Sequence, residues 1–278
     1  MYLRPRTLQE AVTALAQRGG QILSGGTDFF PALGERPAPT PIVDVSAITE
    51  LRGISFEQDY VSIGGLTTWS DVIRTPLAPC FDGLKAAARE VGSVQIQNRG
   101  TVAGNLCNAS PAADGIPPLL ALDAEVELVS EAETRRLPLG EFVKGNRKTA
   151  RRPDEILARI MVPRVLEDAR SVFLKLGSRR YLVISIVMVA AVVQADGKGK
   201  VRQARVAVGS CSAVAQRLYD LERDLVGKNL GREVSDFVLP VHLCDLSPID
   251  DVRASAAYRR DAALTLVKRA IEACTEAR

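Results

Sequence analysis

Two short stretches combine glycine with hydroxyl side chains as phosphate binding requires. They are Ser24-Gly25-Gly26-Thr27-Asp28 and Gly100-Thr101-Val102-Ala103-Gly104-Asn105. Glycine takes φ > 0 without steric cost and lets the backbone approach a ligand. Successive N–H groups can then form an anion-binding nest. The hydroxyls of Ser24, Thr27 and Thr101 and the amide of Asn105 add donors. Singly, each stretch reads as an ordinary turn. As a pair they suit a diphosphate held by backbone dipoles with little positive charge. A polar stretch continues to Asn108, Ser110 and Asp114 around Pro111, and a long polar connection in a compact domain reads as a binding loop.

Other chemistries are excluded by what the chain lacks. It has one histidine, His242, so no multi-histidine metal site exists, and any Ser-His-Asp or Cys-His device would need that residue. The five cysteines are widely spaced. The closest pair, Cys80 and Cys107, is 27 positions apart (107 − 80), which fits neither a zinc site nor an iron–sulfur cluster. Reduced thiols in the cytoplasm are the expectation. No GxGxxG and no GxxxxGK[ST] occurs, so neither the Rossmann nor the P-loop fingerprint is present. Lys+Arg number 36 against 33 Asp+Glu, for a net charge of +3 with the signs interspersed, and no basic stripe announces a nucleic acid. The N-terminus has no signal-peptide pattern. The apolar run Leu182–Val193, broken only by Ser185, is too short to span a bilayer and reads as a buried strand.

The elements that must carry these loops are legible from periodicity. Thr7 to Glu10 fits a capping box, and Leu8, Ala11, Val12 and Leu15 share one helical face that Gly19-Gly20 ends. A short strand at 21–23 then runs into the first glycine stretch. Residues 31–41, with four prolines, read as a loop, and 42–45 as a strand. Tyr60–Ile63 is a strand closed by Gly64-Gly65. Thr67 or Thr68 caps a helix around Trp69–Ile73, Leu84–Val91 is helical, and 92–114 shows little amphipathic periodicity. Strands follow at 124–129 and 156–162, and Pro163 closes this part. Val172–Leu176, the apolar run, a turn at 195–199 and Val201–Val208 form an antiparallel sheet. Ala263, Leu266, Val267, Ala270, Ile271 and Cys274 mark a C-terminal helix. The paired arginines 151–152, 179–180 and 259–260 read as solvated faces. Trp69, Cys107 and His242 read as structural.

Thr101-Val102-Ala103-Gly104-Asn105 with Asn108-Ala109-Ser110-Pro111-Ala112-Ala113-Asp114 resembles the second flavin loop of the molybdenum hydroxylases, which include carbon monoxide dehydrogenase and xanthine dehydrogenase. Ser24 to Asp28 resembles the first flavin loop. Lys175 to Tyr181 and Asp251 to Arg260 are similar to two further family motifs, so the resemblance spans the chain. It implies an α+β flavoprotein with a two-lobed, PCMH-type FAD-binding domain over 1–167 (lobes about 1–56 and 57–167). A C-terminal α+β domain would follow over 168–278, with an antiparallel sheet packed by helices. It implies an oxidoreductase medium subunit partnered by a small [2Fe–2S] subunit and a large molybdopterin subunit, as a dimer of heterotrimers (a heterohexamer). The flavin would carry the redox chemistry, with no catalytic side chain and no metal in this chain.

The same resemblance implies the cofactor contacts. These are Ile22, Leu23, Ser24, Gly25, Gly26, Thr27, Asp28 and Phe29 in the first loop, and Thr101, Val102, Ala103, Gly104 and Asn105 in the second. Asp114 matches a contacting aspartate, Leu157 a pocket-lining position, Lys175 a lysine near the isoalloxazine, and Tyr181 an aromatic packing over the ring. Read without the family, Asp114 is a turn residue, Leu157 a core strand residue, Lys175 a solvated lysine on a strand, and Tyr181 a core or interface aromatic. Ala103 stands where the family carries glycine, which fits only if its φ is negative. The rival readings are a stand-alone flavin oxidoreductase and a flavin-free scaffold. The first would need its own base or covalent flavin anchor, and the second would have lost the loop residues. Substrate and terminal acceptor stay open.

Overall fold

The computed structural model describes residues 1–275. The chain begins β1 (Tyr2–Leu3), α1 (Leu8–Arg18), β2 (Gln21–Leu23), α2 (Phe29–Leu33), β3 (Ile42–Asp44), β4 (Ile54–Phe56), β5 (Tyr60–Gly64) and α3 (Trp69–Arg74). It continues with α4 (Asp82–Glu90), α5 (Val94–Gln97), α6 (Val102–Asn108), α7 (Ile116–Ala121), β6 (Glu125–Val129), β7 (Thr134–Pro138), α8 (Leu139–Phe142), β8 (Val143–Gly145) and β9 (Lys148–Thr149). Then come β10 (Ile156–Pro163), β11 (Arg170–Leu176), β12 (Val187–Ala195), β13 (Val201–Gly209), β14 (Gln216–Arg217), α9 (Tyr219–Leu225) and α10 (Ala256–Thr275). Contacts divide the chain into two compact units. One gathers Met1–Thr75, Ser93–Ala109 and Ala124–Pro163; the other gathers Pro76–Gly92, Ser110–Asp123 and the chain from Arg164 onward.

In the first unit, β1, β3 and β2 form a parallel sheet in that order. Helix α1 connects β1 to β2, with Ala11, Val12 and Leu15 buried against Val43, Val45 and Ile48. Its start differs from the expected capping box. Thr7 Oγ1 accepts from the Glu10 N–H at 3.2 Å, but the Glu10 carboxylate accepts from the N–H of Arg6 instead of Thr7. Gly19 ends the helix at φ +61°, its N–H bonded to the Leu15 carbonyl. Strands β4-β5-β10-β6-β7 form a second, antiparallel sheet. Thr68 caps α3 in a full capping box with Asp71, and Trp69 is fully buried there.

Two expected loops are partly helical. Residues 29–33 make one helical turn, in which Pro31 sits early enough that its missing N–H is not needed. Within 92–114 lie α5 and α6, each too short to show an amphipathic period.

The second unit is built on the antiparallel sheet β11-β12-β13-β14. The apolar run of β12, Val187 to Val193, is explained by cover on both faces. Val187, Val189, Ala191 and Val193 pack with Ala263, Val267 and Ala270 of α10 and Leu221 of α9. Helices α4 and α7 also pack on β12, and Met188 touches the Gly209 and Pro117 neighbourhood. Residues 182–186, expected in the same strand, lie outside it; β12 starts at Val187, antiparallel to Leu176. All six predicted α10 face residues are buried. Arg259 is not solvated. It is 3% exposed and donates to the carbonyls of Ile186 (2.6 Å) and Ser210 (3.2 Å) and to Asp251 Oδ1 (2.7 Å). His242 is buried, its Nδ1 accepting from the Leu239 N–H at 3.0 Å. Among the described residues, no helix is long and apolar enough to cross a membrane.

Candidate functional site

In the first unit, β2 delivers the chain to the first glycine stretch. Leu23 is buried and Ile22 packs against the core, so their side chains anchor the strand. Beyond them, the N–H groups of Gly25, Gly26, Thr27 and Asp28 take part in no hydrogen bond among the described residues. Four successive free donors make the nest that the sequence suggested. Gly25 has no room for a side chain, because a Cβ there would strike the Arg99 carbonyl oxygen. Gly26 sits at φ +77°, and a Cβ would come within 2.7 Å of the Phe30 ring. Phe29 braces that ring edge-on, with centroids 5.4 Å apart. Asp28 is exposed.

The second stretch is a helix start, not a loop. Thr101 caps α6, its Oγ1 accepting from the Gly104 N–H at 3.0 Å. The Val102 N–H goes to the Thr67 carbonyl, and Asn105 N–H to the Thr101 carbonyl. The Ala103 N–H has no partner among the described residues. Ala103 lies in the helix, outside the positive-φ residues, so its methyl group is unstrained and buried. The two stretches touch: Ser24 Oγ and Thr101 Oγ1 are 3.3 Å apart. A Cβ on Gly104 would sit 2.8 Å from Thr101 Oγ1 and 3.3 Å from Ser24 Oγ. Asn105 Oδ1 is buried with no partner, an acceptor suited to a ligand hydroxyl or amino group. Leu157 is a buried residue of β10, the strand against which α6 packs. Desolvation pushes the Cys107 thiol up to about 11, which disfavours its thiolate. Free N–H groups, hydroxyls and a helix N-terminus facing one another fit a diphosphate without a cationic side chain.

In the second unit, Asp114 and Lys175 form a buried ion pair, Nζ to Oδ2 at 2.7 Å. The lysine is therefore not solvated, as its strand position alone suggested, and the aspartate is more than a turn residue. Ser185 Oγ donates to the other carboxylate oxygen at 2.7 Å. Burial pushes the Asp114 carboxyl up, while Lys175 and Ser185 pull it back. Tyr181 is half exposed in the segment between β11 and β12. Ser185 escaped the sequence reading. Its only signal was a lone hydroxyl inside an apolar run.

Residues 1–165 match the family model described as FAD binding domain in molybdopterin dehydrogenase, and residues 173–274 match CO dehydrogenase flavoprotein C-terminal domain. The chain is 30% identical to the nicotinate dehydrogenase FAD-subunit of Eubacterium barkeri, covering 96% of this chain and 93% of the relative. It is 29% identical to the carbon monoxide dehydrogenase medium chain of Hydrogenophaga pseudoflava, over 98% and 96%. Among solved structures, reconstituted CO dehydrogenase from Oligotropha carboxidovorans matches with a TM-score of 0.92 at 27% identity, over 99% and 96% of the two chains. Quinoline 2-oxidoreductase from Pseudomonas putida 86 matches at 0.90 and 26%, over 99% and 96%. A nest-bearing α/β unit and an antiparallel α+β unit together define a flavoprotein of the dehydrogenase class. The chain belongs to the FAD-binding family of the molybdopterin dehydrogenases, as an oxidoreductase subunit whose cofactor is FAD.

Proposed function

We propose that the chain is the medium subunit of a molybdenum-hydroxylase complex. In this reading it takes electrons from a small subunit with [2Fe–2S] clusters, fed by a large molybdopterin subunit, and passes them to an external acceptor. The assembly is a dimer of heterotrimers in the cytoplasm, where its free thiols stay reduced. The observation that carries the reading is the run of free N–H groups at 25–28 beside the α6 N-terminus. Bound FAD supplies the redox chemistry, and the protein binds, orients and tunes it. The free N–H groups of residues 25–28 and of Ala103 hold the diphosphate, and Ser24, Thr27 and Thr101 add hydroxyl donors. Asn105 Oδ1 accepts from a cofactor hydroxyl or amino group. Ile22, Leu23, Phe29, Val102 and Leu157 shape the pocket through the backbone and core they anchor. Asp114, Lys175 and Tyr181 are assigned to the flavin ring on the strength of family membership, and 1–167 and 168–278 are the two sequence domains.

The test is purification of the chain and of its complex. The expected result is a yellow protein, bleached by dithionite, that releases FAD and co-purifies with iron–sulfur and molybdenum subunits. Gly26→Val should cut FAD content more than tenfold with the circular dichroism of the sheets retained. A colourless chain that FAD does not reconstitute, alone or in complex, overturns the proposal.

A further inference from the structure

Within the second unit, one carboxylate gathers two separate points of the chain. Lys175 stands near the end of β11, and Ser185 stands just before β12. The strap between them, residues 176–184, leaves Asp114 and returns to it. Lys175 Nζ takes Oδ2 and Ser185 Oγ takes Oδ1, each at 2.7 Å. The strap's return is fixed on the backbone as well. The Ile186 N–H donates to the Leu176 carbonyl at 2.7 Å, and the buried Arg259 donates to the Ile186 carbonyl at 2.6 Å. Gly177 has no room for a Cβ because Val183 folds over it.

We propose that Ser185 is a positioning residue, which fixes the Asp114 carboxylate and through it holds the Lys175 ammonium in one place. The proposal rests on the reading above, in which Lys175 meets the flavin. Ser185 is 2% exposed, and the strand after it is apolar from Val187 through Val193. A buried hydroxyl is costly unless bonded, so a purely space-filling role would suit alanine better. A carboxylate bonded at one oxygen can rotate, whereas one bonded at both cannot, and hydrogen bonds to a charged acceptor are the strong ones. Glu90 lies beside the pair, its backbone carbonyl 3.5 Å from Lys175 Nζ, and its carboxylate pairs with the exposed Arg180 at 3.2 Å. Burial and Glu90 push the Asp114 carboxyl up, and the ammonium and the hydroxyl both work against that push.

Two measurements test this. The first needs no flavin: the Asp114 carboxyl is titrated by carbon-13 NMR in the full-length chain. Ser185→Ala should raise its proton affinity about tenfold, and Ser185→Thr should restore it. An unchanged titration in Ser185→Ala overturns the positioning role. The second is the flavin midpoint potential against pH in the assembled complex, with FAD content measured alongside. Lys175→Gln and Ser185→Ala should both lower the potential at pH 7 with FAD retained, and Ser185→Thr should not. A shift in Lys175→Gln without one in Ser185→Ala overturns the coupling. If neither shifts while the titration moves as expected, the assignment of Lys175 to the flavin fails and Ser185 stands as a support of the carboxylate alone.

Discussion

Single atoms decide how the first unit treats an anion. The Gly25 position tolerates no Cβ because a carbonyl oxygen occupies that space, and Gly26 sits in a backbone region that penalises other residues by about 1–2 kcal/mol. The spacing of glycines and hydroxyls made both stretches legible in sequence. What it concealed was the local form of the second. Ala103 reads as a departure from a glycine loop, yet it is a first-turn helix residue with its methyl group in the core. Ala103→Gly should therefore leave FAD content unchanged and lower stability by about 0.5–1 kcal/mol, read as a fall in the urea midpoint. Asn105 gives the opposite pattern. Its Oδ1 is buried and unpaired, a burden on the apoprotein that a ligand donor would relieve. Asn105→Leu should keep or raise the apoprotein melting temperature while weakening FAD binding about tenfold, measured by flavin fluorescence on titration.

Elements with a long period were legible and short ones were not. The face of α10 could be listed from spacing alone, because twenty residues repeat the pattern many times. Helices α2, α5 and α6 complete one or two turns, so periodicity has nothing to repeat. Arg259 and Ser185 escaped for another reason: their burial depends on partners distant in sequence. Helix α10 also carries the acid sensitivity of its own start. Asp251 accepts from the Arg253 N–H at 2.8 Å and pairs with Arg259 and Arg253. Those contacts, the Arg253 N–H foremost, lower its pKa from 3.8 to about 2. A depressed carboxylate contributes stability that is complete above the unfolded value and is lost as pH falls through the folded one. The melting temperature should drop as pH falls from about 4 to about 2. Asp251→Asn should be less stable at pH 7, with a flatter acid limb. If the variant melts as steeply with acid as the parent, other carboxylates carry the effect.

At the scale of the whole molecule, the thiols give a direct reading of packing. Burial pushes Cys80 and Cys274 up to about 12 and Cys107 and Cys211 up to about 11, while Cys244 is exposed. Native protein at pH 8 should show one fast thiol toward a disulfide reagent, at Cys244, and all five after denaturation. Rapid reaction of three or more would mean these interiors open easily. The cover on both faces of β12 has a consequence for biosynthesis. Helices α4 and α7 leave the ribosome roughly 70 to 110 residues before the strand they pack on, and chains fold as they emerge at about 5–20 residues per second. For several seconds of translation those two helices have no strand to cover, so a nascent chain stalled before Val187 should hold a chaperone that the released full-length chain does not.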